Sequence, residues 1–158
     1  GGKLYLAMAN DAEGGLGAVG EILGHPNVVL GLGDGGAHVG TICDASYSTF
    51  ALTHWARDRD HGRKSVADMV HRMTQATARV FGLDDRGVLA PGKRADINVI
   101  DHAHLAMGHP EVRYDLPAGG RRLIQQAWGY DLTMLAGEIV QRGGEPAGPL
   151  PGRLIRCA

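Results

Sequence analysis

Apolar residues follow two different periods along this chain, and the change between them divides the sequence into two parts. In the first part the spacing is helical, and it predicts helices over residues 16–23, 47–59 and 66–81. Gly24 and Gly82 follow the first and the third of these, as glycines that end helices commonly do. Ser65 precedes the third helix and Asp68 comes three residues later, which is the pattern of a capping box.

Two apolar runs, residues 4–9 and 28–32, are predicted as strands on either side of the first helix. The second run is continuous, as in a strand that is buried on both faces. A strand, a helix and a second strand in this order form a βαβ unit, so the sheet is expected to be parallel. The first part of the chain is therefore predicted to have an α/β architecture.

The second part has the pattern of short β-strands. Pro91-Gly92 predicts a turn before an alternating strand at residues 95–100. Ala136-Gly137 predicts a hairpin turn. Further strands are predicted over residues 121–127, 132–135 and 138–142. This part is expected to form a small antiparallel β unit.

We therefore divide the chain into an α/β domain at residues 1–85 and a β domain at residues 86–158. Hydrophobic content of 44%, charged content of 21% and a net charge of -1 are ordinary for a globular protein. They supply no charged block for a nucleic acid or a membrane surface. Cys43 and Cys157 have no metal or redox spacing, so we expect free thiols in a reducing, cytoplasmic compartment.

The stretch GLGDGGAHVG at residues 31–40 offers candidate chemistry. Asp34 follows an apolar run and lies among glycines, which leaves a carboxylate with little side-chain bulk around it. Catalytic groups of α/β enzymes stand at the carboxyl ends of parallel strands, so Asp34 is a candidate general acid/base. The alternative is an aspartate that hydrogen-bonds its own turn. His38 is a candidate ligand or substrate contact, or a residue that hydrogen-bonds within the loop.

The same glycines match the spacing of a dinucleotide-binding fingerprint through Gly31, Gly33 and Gly36. Asp34 disfavours that interpretation because it would place a negative charge against a pyrophosphate. Residues 37–43 also lack the pattern of the helix that should follow.

Other histidines and methionines are predicted to have structural positions. His54 with Trp55, and Met69 with Met73, lie on helix faces that we predict to be core. The histidines that follow the strand at residues 95–100 are predicted to be surface residues; they are His102, His104 and His109.

Three longer segments resemble the amidohydrolase superfamily, and in particular its D-aminoacylase (N-acyl-D-amino-acid deacylase) branch. They are GLGDGGAHVGTICDASYSTFALTHWARDR at residues 31–59, MTQATARVFGLDDRGVLAPGKRADINVID at residues 73–101, and YDLPAGGRRLIQQAWGY with GEIVQRGGEPAGPLPGRLIR within residues 114–156. The middle segment is common to many superfamily members, whereas the other two are more characteristic of the D-aminoacylase-like branch.

The resemblance implies an α/β plus β fold, namely the C-terminal fragment of a metal-dependent hydrolase (β/α)8 barrel followed by part of a small β-sandwich domain. Residues 28–33 look like the eighth barrel strand, and residues 4–9 correspond to the seventh. Asp34 matches the family's aspartate that binds the metal site and serves as general acid/base. Gly35, Gly36 and His38 beside it are expected to contact the substrate.

The implied reaction is hydrolysis of an N-acyl-D-amino acid or a related amide by a complete enzyme that contains zinc. The family's remaining ligands, a His-x-His pair among them, have no counterpart here, since His102-x-His104 follows a β-domain strand. A catalytic zinc needs about three protein ligands, so we expect the isolated chain to be inactive and to bind no metal.

The expected partners are the amide substrate and the missing N-terminal barrel portion, with no nucleic acid and no membrane. Two strands cannot close a barrel, so we also expect self-association through the exposed strand at residues 28–33. Two alternatives remain open: a non-catalytic assembly module derived from an amidohydrolase, and a hydrolase of cyclic amides.

Overall fold

The computed structural model describes residues 15–31, 38–41 and 43–156. Within them three helical segments precede a run of short strands, in agreement with the predicted change of character. The strand predicted at residues 4–9 lies outside the described residues.

The first helix, α1, spans Gly17–Gly24 and buries Leu23. The second, α2, starts as a 3-10 turn at Asp44–Ser46 and continues as an α-helical turn at Tyr47–Phe50 and a π-helical stretch at Ala51–Asp58. Both confirm the helices predicted from apolar spacing, although the π-helical stretch has no signal in that spacing.

The third helix, α3, comprises Val66–His71, a π-helical stretch Arg72–Ala76, and Thr77–Val80. Ser65 caps it as predicted, because the Ser65 hydroxyl accepts a hydrogen bond of 3.0 Å from the Asp68 backbone N–H. The Asp68 carboxylate, however, binds Arg72, so only half of the predicted capping box is supported by these contacts. Gly82 follows the helix with φ of +66°, as expected of a C-terminal glycine.

The strands are short, and every pairing among the described residues is antiparallel. Their bounds are β1 Ile97–Ile100, β2 Ala106–Met107, β3 Glu111–Leu116, β4 Gly120–Ile124, β5 Ala127–Trp128, β6 Tyr130–Leu135, β7 Glu138–Arg142 and β8 Glu145–Pro146. One sheet has the order β1-β6-β7-β8, while β2–β5 and β3–β4 form separate two-stranded pairs.

The predicted hairpin between β6 and β7 is present. Ala136 and Gly137 have φ values of 53° and 86°, the left-handed pair that a type I′ turn requires. The Asp96 carboxylate accepts a 2.8 Å hydrogen bond from the Ala136 N–H and so ties this turn to the start of β1. The β3–β4 pair places a strand at Glu111–Leu116, where none was predicted.

The predicted parallel sheet has no counterpart within the described part of the chain. Residues 28–31 form no β-ladder there, and the sheets that are present are antiparallel. Since the other predicted strand and residues 32–37 lie outside the described residues, the βαβ unit stays a prediction.

An apolar cluster among the described residues joins the helices to the β part. It consists of the buried residues Leu23, Ala51, Leu52, Trp55, Ala56, Met69 and Leu105. Met69 and Leu105 are fully buried, and partly buried Ile100 and Tyr130 pack against the same cluster. The predicted core positions of Trp55 and Met69 are thereby confirmed. The cluster draws on both sides of the predicted domain boundary, so the two parts are packed together.

Hydrogen bonds also connect α2 to the loop after β1. The Arg57 guanidinium donates hydrogen bonds to the carbonyls of His102 and Leu105, at 2.8 and 2.7 Å. Gly129 passes so close behind this segment that a Cβ on it would lie 2.8 Å from the Leu105 Cα, and its φ is +93°. A side chain at Gly129 would therefore collide with the backbone of the loop that carries Leu105.

No helix among residues 15–31, 38–41 and 43–156 has the length and apolar character needed to cross a bilayer. The cytoplasmic location stays a prediction.

We expect Leu105→Ala to lower the free energy of unfolding by about 2–5 kcal/mol, because it leaves a cavity where a fully buried side chain joins the two parts. Chemical denaturation followed by tryptophan fluorescence measures this loss. Leu89→Ala removes the same atoms from a side chain that is 77% exposed and should change stability little. Equal losses in the two variants would contradict the central place given to Leu105.

Candidate functional site

The residues that the sequence singles out for catalysis fall largely outside the described part of the chain. Asp34, Gly35 and Gly36 belong to residues 32–37, which the structure does not describe. His38 is described, and it is exposed. Its φ is +46°, and its carbonyl accepts a 2.7 Å hydrogen bond from the Thr41 N–H, which closes a turn. We refer to residues 31–38 as the glycine loop.

The segment that enters the glycine loop is held by α3. The Thr77 hydroxyl lies 3.1 Å from the Leu30 carbonyl, and the Arg72 guanidinium donates to the Val28 carbonyl at 3.3 Å. The Leu30 side chain packs against the apolar cluster. Residues 28–31, which we call the entry segment, are therefore fixed by both polar and apolar contacts.

The segment that leaves the glycine loop is held by the β part. The Leu123 N–H of β4 donates to the Val39 carbonyl at 2.7 Å. A few residues later the Ser46 hydroxyl hydrogen-bonds the Gln125 side-chain carbonyl, and the Gln125 amide donates to the Gly108 carbonyl at 2.9 Å. The two ends of the glycine loop are thus anchored to different parts of the fold, one to a helix and one to a strand.

A groove of about 950 Å³ runs between the helices and the strands, beside the exit from the glycine loop. Val39 and Cys43 line it at that end. Leu52, Met73, Trp128 and Tyr130 supply apolar surface. This helix–sheet groove is of a size that small-molecule sites use, roughly 300–1,000 Å³.

Neutral polar groups dominate the polar lining of the helix–sheet groove. The Thr49 and Tyr130 hydroxyls are 2.7 Å apart and hydrogen-bond each other across the junction of helix and strand. Arg122 also lines the groove, but its guanidinium binds both carboxylate oxygens of Asp115, at 2.8 and 2.7 Å. The arginine therefore contributes a neutralised pair and not a free cation at this wall.

Cys43 is the half-buried thiol at the end of the groove near the glycine loop. Burial raises the pKa of this thiol, and the neighbouring Asp44 carboxylate raises the pKa further by disfavouring a second negative charge. Both effects keep Cys43 protonated, which is the reverse of what a cysteine nucleophile requires.

His54, which was predicted as core, is half-buried and packs against aromatic neighbours of α2, but it is not part of the apolar cluster. Its ring stacks on Phe50 with centroids 4.8 Å apart, and meets the edge of Trp55 at 5.0 Å. Its Nε2 lies 3.3 Å from the Arg59 guanidinium, which can only donate, so the ring nitrogen accepts. Burial and then the Arg59 charge lower the His54 pKa. A neutral, stacked ring of this kind packs the helix.

The surface assignment of the later histidines needs one correction. His104 is exposed and hydrogen-bonds Asp101 through Nδ1 at 2.7 Å, and His109 is exposed. His102 is half-buried, however, and its Nε2 lies 3.0 Å from the Leu52 carbonyl of α2. The prediction for His102 was wrong because the loop after β1 folds back onto α2, a tertiary contact that the loop sequence does not reveal.

Metal-binding groups do not come together in the described part of the chain. Within it, no set of three or more His, Cys, Asp or Glu side chains is placed to hold an ion. The described residues therefore do not provide a zinc centre by themselves.

Sequence patterns missed the two side chains that hold the entry segment. Arg72 had a partial signal, since Asp68 four residues earlier predicts a helix-surface ion pair, which forms at 2.9 Å. Thr77 lies on the inner face of α3, where it reads as one more core position. Nothing in either pattern shows that both side chains reach carbonyls more than forty residues earlier in the chain.

Comparisons with known proteins add to this geometry. A family model described as "Amidohydrolase family" matches residues 7–141. Uncharacterized proteins of Mycobacterium bovis and of two strains of Mycobacterium tuberculosis are each 32% identical over 138 residues, or 81% of this chain and 22% of their own length. The chain thus spans about a fifth of the length of the curated relatives it matches. No solved structure matches it.

We expect the Cys43 thiol to ionise at a higher pH than an ordinary cysteine, because its pKa is raised by burial and by Asp44. Ultraviolet absorbance of the thiolate during a pH titration measures this in a Cys157→Ser background, with the denatured variant as reference. Asp44→Asn should bring the midpoint part of the way back, since it removes the smaller cause. A folded-state midpoint at or below that of the denatured variant would rule out this environment.

Proposed function

Because the chain belongs to the amidohydrolase family, we propose that it is the C-terminal part of a zinc-dependent hydrolase that acts on N-acyl-D-amino acids or a related amide. The family match over residues 7–141 is the observation that carries the proposal, and it supports hydrolase activity. The amide substrate rests on the resemblance of residues 31–59 and 114–156 to the D-aminoacylase branch. Both the substrate and the zinc dependence are proposals for the longer protein.

Asp34 is the residue to which we assign proton transfer. In this proposal its carboxylate accepts a proton from the attacking water and returns it to the leaving amine. The water oxygen joins the acyl carbon, the C–N bond breaks, and the products are a carboxylate and a protonated amine. We assign Gly35, Gly36 and His38 to substrate contact because they follow Asp34 directly in the chain.

Zinc, when bound, supplies a Lewis acid and lowers the pKa of water. The described residues do not fit such a centre alone, as no suitable group of side chains is present among them. A catalytic site needs about three protein ligands, so we propose that Asp34 contributes to the site and that the remaining ligands come from the missing N-terminal barrel portion.

Anchoring of the glycine loop supports this assignment of Asp34. Contacts of Leu30 with α3 and of Val39 with β4 fix the chain on both sides of residues 32–37. Proton transfer demands a group held within hydrogen-bond reach of its target, and a loop that is anchored at both ends meets that demand better than one without such anchors.

A non-catalytic assembly module remains the second candidate. The observation that favours it is the lack of a metal-holding group among the described residues. A hydrolase of cyclic amides differs only in substrate, and a panel of linear and cyclic amides separates the two.

We predict that the purified 158-residue chain binds no stoichiometric zinc and hydrolyses no N-acyl-D-amino acid, because it supplies too few ligands. The longest natural protein that contains this sequence should do both. Metal analysis and release of the free amino acid measure the two properties. Turnover by the 158-residue chain with bound metal would disprove the need for further barrel.

Within the active longer protein, Asp34→Asn should reduce kcat by about 100-fold or more, because it removes the proton acceptor. Asp44→Asn is the matched control, since it makes the same change on an exposed aspartate ten residues later. Equal activity of the two variants would argue against Asp34 as acid/base and in favour of the assembly module.

We also propose that the isolated chain self-associates. Residues 28–31 have no strand partner in the described part of the chain, and large apolar side chains such as Ile22 and Phe81 are more than half exposed. The weight-average mass from light scattering should therefore rise with concentration. A strictly monomeric chain at high concentration would contradict this.

A further inference from the structure

Two side chains of α3 bind alternate carbonyls of the entry segment. Thr77 reaches the Leu30 carbonyl at 3.1 Å and Arg72 reaches the Val28 carbonyl at 3.3 Å. In an extended chain the carbonyls of residues i and i+2 point to the same side, about 6.7 Å apart. Arg72 begins the π-helical stretch of α3 and Thr77 follows its end, and both side chains reach the entry segment.

The two side chains of α3 supply hydrogen bonds to backbone carbonyls of the entry segment. Residues 28–31 have no ladder partner within the described residues, yet the Val28 and Leu30 carbonyls are bound. Backbone carbonyls that are withdrawn from water need a hydrogen-bond donor. Here the helix supplies, through side chains, bonds that a neighbouring strand would otherwise make.

Arg72 is itself held in place. Its Nε donates to the Asp68 carboxylate at 2.9 Å while its Nη1 binds Val28, and its side chain is only 17% exposed. The planar guanidinium can make both bonds at once because its donors point in fixed, different directions. A lysine has a single nitrogen and could not keep the same two partners in this geometry.

Thr77 differs from its neighbour on the same helix. The Thr74 hydroxyl bonds the Val70 carbonyl four residues back at 2.7 Å, which is a local helix contact. The Thr77 hydroxyl lies 2.7 Å from the Arg72 carbonyl and also 3.1 Å from that of Leu30. The Thr77 hydroxyl has one proton to donate, so the carbonyls of Arg72 and Leu30 share it.

We propose that Thr77 and Arg72 are positioning residues of the hydrolase: they hold the backbone of the entry segment, from which the chain continues to Asp34 four residues after Leu30. This inference rests on the proposed function for its catalytic consequence. Neither side chain touches the substrate in this scheme, and both act through the backbone of residues 28–31.

The test compares Thr77→Val with Thr77→Ser and with the control Thr74→Val. In the active longer protein, Thr77→Val should lower kcat by about 10- to 100-fold with KM changed by less than about twofold, since misplacement of the acid/base affects the transition state. Thr77→Ser should restore the rate. Thr74→Val should leave both parameters unchanged. A rate for Thr77→Val equal to that of Thr74→Val would overturn the proposal.

A second readout does not need activity. In the 158-residue chain with carbon-13-labelled aspartate, Thr77→Val should shift the carboxyl resonance of Asp34 at a fixed pH, whereas Thr77→Ser and Thr74→Val should not. An unchanged Asp34 resonance in Thr77→Val would overturn the positioning role. If the wild-type protein hydrolyses no amide, the proposed function fails, and this readout alone then decides the positioning role.

Arg72→Lys provides an independent test in case Thr77→Val does not fold. It keeps the positive charge but cannot bind Asp68 and Val28 at the same time. It should shift the same resonance, and Arg79→Lys, an exposed arginine of the same helix, should not. Equal effects of the two lysine variants would overturn the role of Arg72.

Discussion

The packing of α2 against the loop after β1 is the contact on which the rest of the structure depends. Leu105 is buried among the helix side chains, and Arg57 donates hydrogen bonds to the carbonyls of His102 and of Leu105 itself. Apolar burial supplies the attraction, and the arginine satisfies carbonyls that the packing removes from water. Because strands and helices share this one cluster, the groove and both ends of the glycine loop keep a fixed relation to each other.

The packing of helices against strands also fixes the two ends of the glycine loop relative to each other. The entry segment is bound to α3 and the exit at Val39 is bound to β4, so the described residues before and after the loop are held by different parts of the fold. A loop anchored at one end alone would move with whichever element it followed. With two anchors, the relative placement of helices and strands sets the distance that residues 32–37 must bridge.

Much of the local structure follows from sequence, and the tertiary contacts do not. Apolar period located all three helices, Ser65 marked a cap, and Ala136-Gly137 marked a left-handed turn. The π-helical stretches and the β3–β4 pair left no such pattern, because they depend on partners that pack from elsewhere. Thr77 and Leu30 are 47 positions apart, and no local rule relates a threonine on a helix to a carbonyl at that separation.

In the candidate site, too, the sequence indicates a chemical group but not the tertiary contacts around it. Glycine spacing and one acid make Asp34 a candidate, and the family resemblance gives it the acid/base role, which stays a prediction. The groups that would hold the chain around it are ordinary in type: a threonine, an arginine already paired with an aspartate, and a backbone N–H of β4. Their importance comes from where the fold puts them. Under the proposed function, this C-terminal part carries Asp34 as acid/base together with the helix that holds the entry segment, and the longer protein supplies the remaining metal ligands.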